Sequence, residues 1–262
     1  ARGPRTTPMT TVADDVAPLS TAHLMLPDAS LGANVALSAA VWLVLFGAVW
    51  TGARDYSKDV RAAATSMLHA FVAVSLGLWA LSVDVDAWRL LYEPQREDVW
   101  GARTRAEFAP VLVTSLGFYV VDAAFVLAFR VHGTWGPFFH HVAAATALAH
   151  ALFYTASSGA EIALWLVLLE LANPLLSLSV MFRELEPGAS SAAARANERL
   201  FDAVFFATRC LLTPLLSYYA FTLPHVHPVV KLGAFAMHLY SLSLLTVLVR
   251  RAYRRDVLGL QR

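Results

Sequence analysis

Two adjacent histidines, His140 and His141, have the type and spacing to support chemistry. A neutral imidazole can act as a general base, accept an acyl group or bind a metal. Neighbouring residues on a helix point about 100° apart, so one ring can face the interior of a helix bundle while the other packs sideways. A histidine pair near a helix end can also serve only as an interfacial hydrogen-bonding pair, and both interpretations stay open.

A second polar motif contains Glu170, Asn173 and Pro174. Glu170 and Asn173 are three residues apart, which places them on one face of a helix. Pro174 has no backbone N–H, so a carbonyl one turn earlier is free to accept another hydrogen bond. The motif predicts a polar kink beside a carboxylate.

Arg209 lies near the middle of an apolar segment, too deep for its side chain to reach the membrane surface comfortably. A cation at that depth needs an anionic partner, which Asp122, Glu170 or a lipid phosphate could supply. Asp202 lies seven residues before Arg209, and this spacing predicts that the two side chains share a helix face.

These residues belong to a larger set of polar side chains inside apolar segments. Each ionisable group at membrane depth costs about 2.5–3.5 kcal/mol on insertion scales, so simple membrane anchors would not need such a set. The set consists of His69, Asp122, His140, His141, His150, Glu170, Asn173, Asp202, Arg209 and His238. If the protein is an enzyme, the candidate catalytic residues are His140 and His141. The residues predicted to line a polar intramembrane cavity are Asp122, Glu170, Asn173, Arg209 and His69. Tyr119, Trp165 and Tyr240 are interpreted as packing or interface aromatics.

The elements that must position these side chains are transmembrane helices. Of the 262 residues, 58% are apolar and only 15% are charged, whereas soluble domains average about 45–50% and 25%. A spanning helix needs about 20 apolar residues. The fold predicted is an all-α polytopic bundle of about seven transmembrane helices, at 31–50, 62–83, 109–129, 137–156, 160–181, 200–221 and 228–249.

Composition excludes several classes of protein. The formal net charge of +1 provides no basic field for nucleic acid, so no nucleic-acid partner is expected. The single cysteine, Cys210, excludes an internal disulfide framework and any CxxC motif. The nine histidines form no HxxHH box of the di-iron lipid desaturases, and Lys231 is too close to the start of the last helix to carry retinal. No metal and no cofactor are expected.

The ends of the chain and the distribution of basic residues predict its topology. Residues 1–30, rich in proline and polar residues, are interpreted as a mobile tail, and residues 256–262 as a short C-terminal tail. Seven spans place twelve Lys and Arg residues on the side where the last helix ends and seven on the other side. The positive-inside rule therefore predicts a cytoplasmic C-terminus.

The order of these polar residues resembles that of the TLC domain, which is shared by ceramide synthases and translocon-associated membrane proteins. Residues 66–70, Ser-Met-Leu-His-Ala, follow Arg61 as in the opening of that domain. Residues 117–122, Gly-Phe-Tyr-Val-Val-Asp, resemble its aromatic–x–x–Asp motif, and 138–141 its paired-histidine motif. Residues 170–174, Glu-Leu-Ala-Asn-Pro, are similar to a stretch of the non-synthase members, and Asn197 with Arg209 fits the sixth helix.

The resemblance implies an integral membrane protein of the endoplasmic reticulum or another endomembrane, with a role in phospholipid or sphingolipid homeostasis. It implies a first transmembrane helix at 31–56 followed by a six-helix domain at 57–255. In ceramide synthases the paired histidines belong to the motif that transfers an acyl group from acyl-CoA to a sphingoid amine. That motif continues with an aspartate pair, where this chain has Glu170, Ala172 and Asn173, so the resemblance is closer to the non-synthase members.

Three functions compete, and whether the protein is an enzyme stays open. In the first, the polar residues line a cavity that binds a membrane lipid. In the second, the protein is an acyl-CoA-dependent acyltransferase that uses His140 or His141, with Asp122 or Glu170 as orienting carboxylate. In the third, it is an accessory or trafficking subunit whose partner is another membrane protein or a second copy of the chain.

Overall fold

The computed structural model describes residues 28–94, 106–131, 135–154, 158–185, 191–224 and 226–256. Almost all of the predicted N-terminal and C-terminal tails lies outside these ranges. Within them the regular elements are helices, which confirms the all-α bundle. The helices are α1 (Asp28–Gly52), α2 (Lys58–Val83), α3 (Arg89–Tyr92), α4 (Ala109–Phe129), α5 (Trp135–Ala149), α6 (Gly159–Glu170), α7 (Asn173–Leu185), α8 (Ala192–Phe205), α9 (Thr213–Thr222) and α10 (Pro228–Asp256).

Several of these helices join into longer units. A π-helical turn, His150–Tyr154, continues α5, and a longer π-helical stretch, Phe206–Leu212, joins α8 to α9. Residues 171 and 172 form a turn between α6 and α7, directly before the predicted proline kink. The π-helical stretches matter because each adds a residue to a turn and so rotates the side chains that follow.

Six units of the described chain are long and apolar enough to cross a membrane: Ser30–Gly52, Lys58–Val83, Ala106–Phe129, Gly159–Leu185, Ala192–Thr222 and Pro228–Arg250. They match six of the seven predicted spans. The remaining one, 137–156, is helical up to Tyr154 but is not among the six. Its three histidines, His140, His141 and His150, make it less apolar than its neighbours, although it packs between α4 and α10 like any other member of the bundle.

The helices from α2 onward form a ring. α2 packs against α4, α4 against α5, α5 against α10 and α10 against α9. The ring closes because α8 packs against α7, while α6 and α7 pack against α2. α1 lies outside this ring and packs mainly against α4 and α2. We call the side of the ring where α10 ends the carboxy-terminal side, and the side where α10 begins the opposite side.

Contact between α1 and α4 depends on a small residue. A Cβ atom added at Gly117 of α4 would lie 2.8 Å from the backbone nitrogen of Ala39. At this close approach, the indole nitrogen of Trp42 donates a hydrogen bond to the Thr114 carbonyl at 3.0 Å. Small residues commonly allow membrane helices to approach each other closely, and here glycine positions α1 on the ring.

Loop contacts hold the helix ends together on the carboxy-terminal side. The Lys58 ammonium donates to the carbonyl of Arg130 at 3.0 Å, where α4 ends in a left-handed residue. Ser57 caps α2 by accepting from the amide of Val60 at 3.2 Å, and its own amide donates to Glu184 at 2.8 Å. The ends of α2, α4 and α7 are therefore tied together at one level.

Candidate functional site

Seven polar side chains predicted from the sequence lie at one level inside the ring. The set, which we call the polar layer, consists of His69, Asp122, His140, His141, Glu170, Asn173 and Arg209. They come from α2, α4, α5, α6, α7 and the π-helical stretch between α8 and α9. Hydrogen bonds, ion-pair contacts and ring contacts connect the side chains of the polar layer. Because these elements are far apart in the sequence, the ring creates this arrangement.

Glu170 is the centre of one half of the polar layer. It ends α6, is 3% exposed, and accepts a hydrogen bond from the Tyr119 hydroxyl at 2.7 Å. The Asn173 amide donates to its other oxygen at 2.8 Å, and the Nδ1 atom of His69 lies 3.7 Å from that same oxygen. The Nε2 atom of His69 is 3.2 Å from the Ser115 hydroxyl. The carboxylate is thus surrounded by partners, as a buried charge requires.

Arg209 lies beside this half and is only 4% exposed. Its guanidinium donates to the Asn173 side-chain oxygen at 3.0 Å and to the Leu169 carbonyl, and it lies over the Phe205 ring at 5.6 Å. The Nε atom has no hydrogen-bond partner among the described residues. The sequence predicts an anionic partner for Arg209, whereas these direct hydrogen-bond acceptors are neutral. Asn173 bridges the guanidinium to Glu170.

The two histidines of α5 occupy the other half of the polar layer. The Nδ1 atom of His141 lies 3.1 Å from a carboxylate oxygen of Asp122. The His140 ring is inclined by 57° to the His141 ring and stacks on Tyr240 with the ring centroids 4.3 Å apart. The Nδ1 atom of His140 has no hydrogen-bond partner among the described residues. His141 is therefore held by a carboxylate, and His140 by an aromatic ring of α10.

Sequence reasoning missed two tyrosines of this site. Tyr119 is 1% exposed and hydrogen-bonded to Glu170, and Tyr240 stacks on His140, although both were interpreted as packing or interface aromatics. The signal that could have found Tyr119 is its spacing, because it lies three residues before Asp122 on the same helix face. For Tyr240 the sequence carries no comparable signal.

Other polar residues from the apolar segments lie apart from the polar layer. His150 lies against His227 near the opposite side, with the ring centroids 4.1 Å apart. Asp202 is exposed on α8, whereas Arg209 is buried, so the predicted shared face is wrong. The reason is the π-helical stretch Phe206–Leu212, which rotates Arg209 away from the register that an α-helix would give.

An apolar cavity lies between α5, α6, α9 and α10, with an empty volume of about 480 Å³ that includes its open part. Its lining includes Ala144, Leu169, Thr213 and Met237. Ala144 lies one turn after His140, and Thr213 one turn after Arg209. Leu169 directly precedes Glu170, and Met237 lies one turn before Tyr240. Because the four helices alternate in direction, these pairs place the polar layer at one end of the cavity.

Two side-chain polar atoms of residues that line the cavity have no hydrogen-bond partner among the described residues, the indole nitrogen of Trp165 and the hydroxyl of Ser217. The remainder of the lining is almost entirely apolar. The space is therefore apolar along its lining, and charged and hydrogen-bonding groups lie beyond one end of it. In the ranges that the structure describes, no three His, Cys, Asp or Glu side chains are grouped so that they could hold a metal ion.

Fold and site together define a polytopic helical membrane protein with a polar centre inside a ring of helices. A family model described as the TLC domain matches residues 59–250, which is more than half of the 262-residue chain. The chain therefore belongs to the TLC-domain family. No curated protein matches it significantly. The matched region begins at the start of α2, so the ring carries the family relationship, whereas α1 precedes it.

Proposed function

We propose that this protein binds a membrane lipid, with the polar headgroup at the polar layer and the apolar chain in the cavity. The observation that carries the proposal is the proximity of the two: His140, Glu170 and Arg209 lie within one turn of residues that line the cavity. An apolar space at membrane depth is most stable when an apolar chain fills it, because unfilled space forfeits packing contacts. Seven polar groups beside that space would be expensive in a protein that only spans the membrane.

A native mass spectrum of the purified protein, combined with lipid analysis, tests this proposal. We expect a defined lipid to co-purify with the wild type and to be lost when Ala144→Phe fills the cavity. Val142→Phe is the matched control, because Val142 lies on the same helix but is 41% exposed to the exterior. Loss in His140→Ala/His141→Ala as well would place the headgroup at the histidines. A bulk-lipid profile that is the same in wild type, Ala144→Phe and Val142→Phe would contradict the proposal and favour a protein partner.

The second candidate is an acyltransferase, and the short distance between His141 and Asp122 favours it. With Nδ1 3.1 Å from the carboxylate, Nε2 of His141 could remove a proton from an amine or hydroxyl while that group attacks an acyl-CoA thioester. The same imidazolium would return the proton to the departing CoA thiolate. Incubation with acyl-CoA and mixed lipid acceptors tests this: acyl transfer should fall by about 10²-fold or more in His141→Ala. Equal transfer by wild type and variant would exclude this role for His141.

We further propose that the protein resides in the endoplasmic reticulum or another endomembrane with its C-terminus in the cytoplasm. Arg54, Lys58, Arg61, Arg130 and Arg183 lie at helix ends that share the carboxy-terminal side, which supports the positive-inside assignment. A protease-protection assay on microsomes with a tag after residue 262 should show a tag that is digested without detergent. A tag that resists digestion without detergent would contradict a cytoplasmic C-terminus.

The chain has Glu170, Ala172 and Asn173 where the ceramide-synthase motif has an aspartate pair. This difference supports the proposal that the protein is closer to the non-synthase members of the family.

A further inference from the structure

We propose that the bound lipid carries an anionic headgroup, a phosphate or a carboxylate, which Arg209 binds at the end of the cavity. This inference rests on the proposed lipid-binding function and adds the sign of the headgroup charge. It arises from the way in which charges are paired inside the ring, and it would distinguish anionic lipids from zwitterionic ones with the same acyl chains.

The charges of the polar layer are paired unequally. The carboxylate of Glu170 lies 3.7 Å from an imidazole nitrogen of His69, and that of Asp122 lies 3.1 Å from one of His141. Each carboxylate thus has an imidazole beside it. Arg209 instead donates to neutral oxygens, and its Nε atom has no partner among the described residues. The guanidinium is therefore the charge in this layer that still lacks a directly bound counterion.

The lack of a directly bound counterion matters because Arg209 is buried. Arg209 is 4% exposed at the middle of a membrane-spanning unit, where a cation that contacts no anion is costly. A guanidinium offers planar donors that match the oxygens of a phosphate or a carboxylate, and such charge-assisted hydrogen bonds are the stronger ones. The choline group of a zwitterionic lipid follows a phosphate that Arg209 could also bind, but it would bring a second cation beside the guanidinium and would meet carboxylates that already have partners.

The Arg209 guanidinium lies close to the lining of the cavity. Arg209 donates to the carbonyl of Leu169, a residue that lines the cavity, and it lies one turn from Thr213, which also lines it. His140, whose Nδ1 atom lacks a partner among the described residues, lies one turn from Ala144 of the same lining. An oxyanion at this end could accept from Arg209 while its chain extends between α5, α6, α9 and α10 toward the opposite side.

Competitive lipid binding by native mass spectrometry of the full chain tests the inference. Delipidated protein is offered phosphatidylglycerol, phosphatidylcholine and oleate, the two phospholipids with identical oleoyl chains. We expect wild type to prefer an anionic species over phosphatidylcholine by tenfold or more, which corresponds to about 1.4 kcal/mol. Whichever of phosphatidylglycerol and oleate shows the preference identifies the headgroup as phosphate or carboxylate.

Variants of Arg209 locate the preference. Arg209→Gln should still bind phosphatidylcholine but lose the preference for the anionic lipid, and Arg209→Lys, which keeps the charge, should retain part of it. Arg199→Gln is the matched control, because Arg199 lies on α8 of the same membrane-spanning unit and is exposed. It should leave the preference unchanged.

The outcomes separate this inference from the proposed function. Equal binding of phosphatidylcholine and the anionic lipids by wild type would overturn the inference and leave lipid binding intact; this comparison needs no variant to fold. A preference that persists in Arg209→Gln would also overturn it. Absence of any bound lipid in wild type would overturn the proposed function and this inference together.

Discussion

Replacing Glu170 by glutamine should destabilise the protein strongly, because two of its neighbours, Asn173 and His69, lose the carboxylate oxygen that they contact. Glutamine keeps one oxygen, which can still accept from the Tyr119 hydroxyl, but it presents an NH₂ group to the Asn173 amide. Asn173 cannot simply flip, since its own oxygen accepts from Arg209 at 3.0 Å. A partly buried donor therefore loses its acceptor, and His69 loses the carboxylate oxygen that lies 3.7 Å from its Nδ1 atom.

The magnitude follows from these losses. An unsatisfied buried donor costs about 1–3 kcal/mol, and removing one member of a buried charge network costs about 3–5 kcal/mol. These terms overlap here because Asn173 bridges Glu170 to the guanidinium, so we expect Glu170→Gln to lower the free energy of unfolding by about 3–5 kcal/mol. That is a large part of the roughly 5–15 kcal/mol that stabilises a typical protein.

The assay is reversible unfolding by sodium dodecyl sulfate in mixed micelles, followed by far-ultraviolet circular dichroism. Glu184→Gln serves as the control, because Glu184 lies at the exposed end of the same membrane-spanning unit and glutamine keeps an oxygen that can accept from the Ser57 amide. It should change the free energy of unfolding by no more than about 1 kcal/mol. Arg209→Met, alone and combined with Glu170→Gln, completes a double-mutant cycle.

The double-mutant cycle measures the coupling between the charges of Glu170 and Arg209. Removing both charges should cost at least about 1 kcal/mol less than the sum of the single changes, because neither ion is then left without its counterpart. A loss of unfolding free energy below about 1 kcal/mol for Glu170→Gln would show that Asn173 and His69 do not depend on the Glu170 carboxylate. If the costs of the two single changes add to that of the double change within about 0.5 kcal/mol, Glu170 and Arg209 are independent, which would contradict the expected coupling.

Three further changes probe how the helices are held, with the same unfolding assay. Gly117→Ala should lower the free energy of unfolding by about 1–3 kcal/mol, because the added Cβ atom meets the backbone of α1. Gly47→Ala should be neutral or slightly stabilising, because its Cβ atom meets nothing within 4 Å. Equal effects of the two changes would contradict the close packing of α1 on α4. Trp42→Phe should cost roughly 1 kcal/mol through the lost hydrogen bond to a carbonyl of α4, and an unchanged unfolding midpoint would mean that this bond contributes nothing. Asn197→Ala should cost about 1–3 kcal/mol, because its buried amide donates at 2.9 Å and 2.8 Å to two oxygens of α7; a loss below about 0.5 kcal/mol would contradict that.

The general architecture could be predicted because polarity and length are properties of single segments. Six of the predicted spans match units that are long and apolar enough to cross a membrane. Glu170 and Asn173 were predicted to lie close together because they are three residues apart, and the Asn173 amide nitrogen is 2.8 Å from a Glu170 carboxylate oxygen, although a turn at residues 171 and 172 separates α6 from α7. Side chains three residues apart in a helical segment are neighbours, so the sequence alone indicates such a pair.

Contacts between helices could not be predicted in the same way. Nothing in the spacing indicates that His141 lies against Asp122 or that Tyr240 stacks on His140, because the order of helices around a ring depends on packing along their whole lengths. The relation between Asp202 and Arg209 failed for a local reason: a π-helical stretch changes the number of residues per turn, and the sequence carries no simple mark of it.

The unequal burial of the membrane-spanning units has a consequence for biogenesis. Only 11% of the apolar 18-residue window of Ser30–Gly52 is buried inside the protein, whereas the share is 67% in the corresponding windows of Ala106–Phe129 and Gly159–Leu185. A helix that faces lipid over most of its surface can enter the bilayer by itself while the ribosome is still extending the chain. Glu170 and Arg209 instead arrive on later segments, and their charges find partners only when these segments meet.

Membrane integration should therefore proceed in two stages. α1 and α2 would be released into lipid early, and the later polar segments would remain beside the insertion machinery until the ring can close. A pause at that point would expose Arg209 to intramembrane quality control, so variants that weaken ring closure should shorten the lifetime of the newly made protein before they affect the folded one.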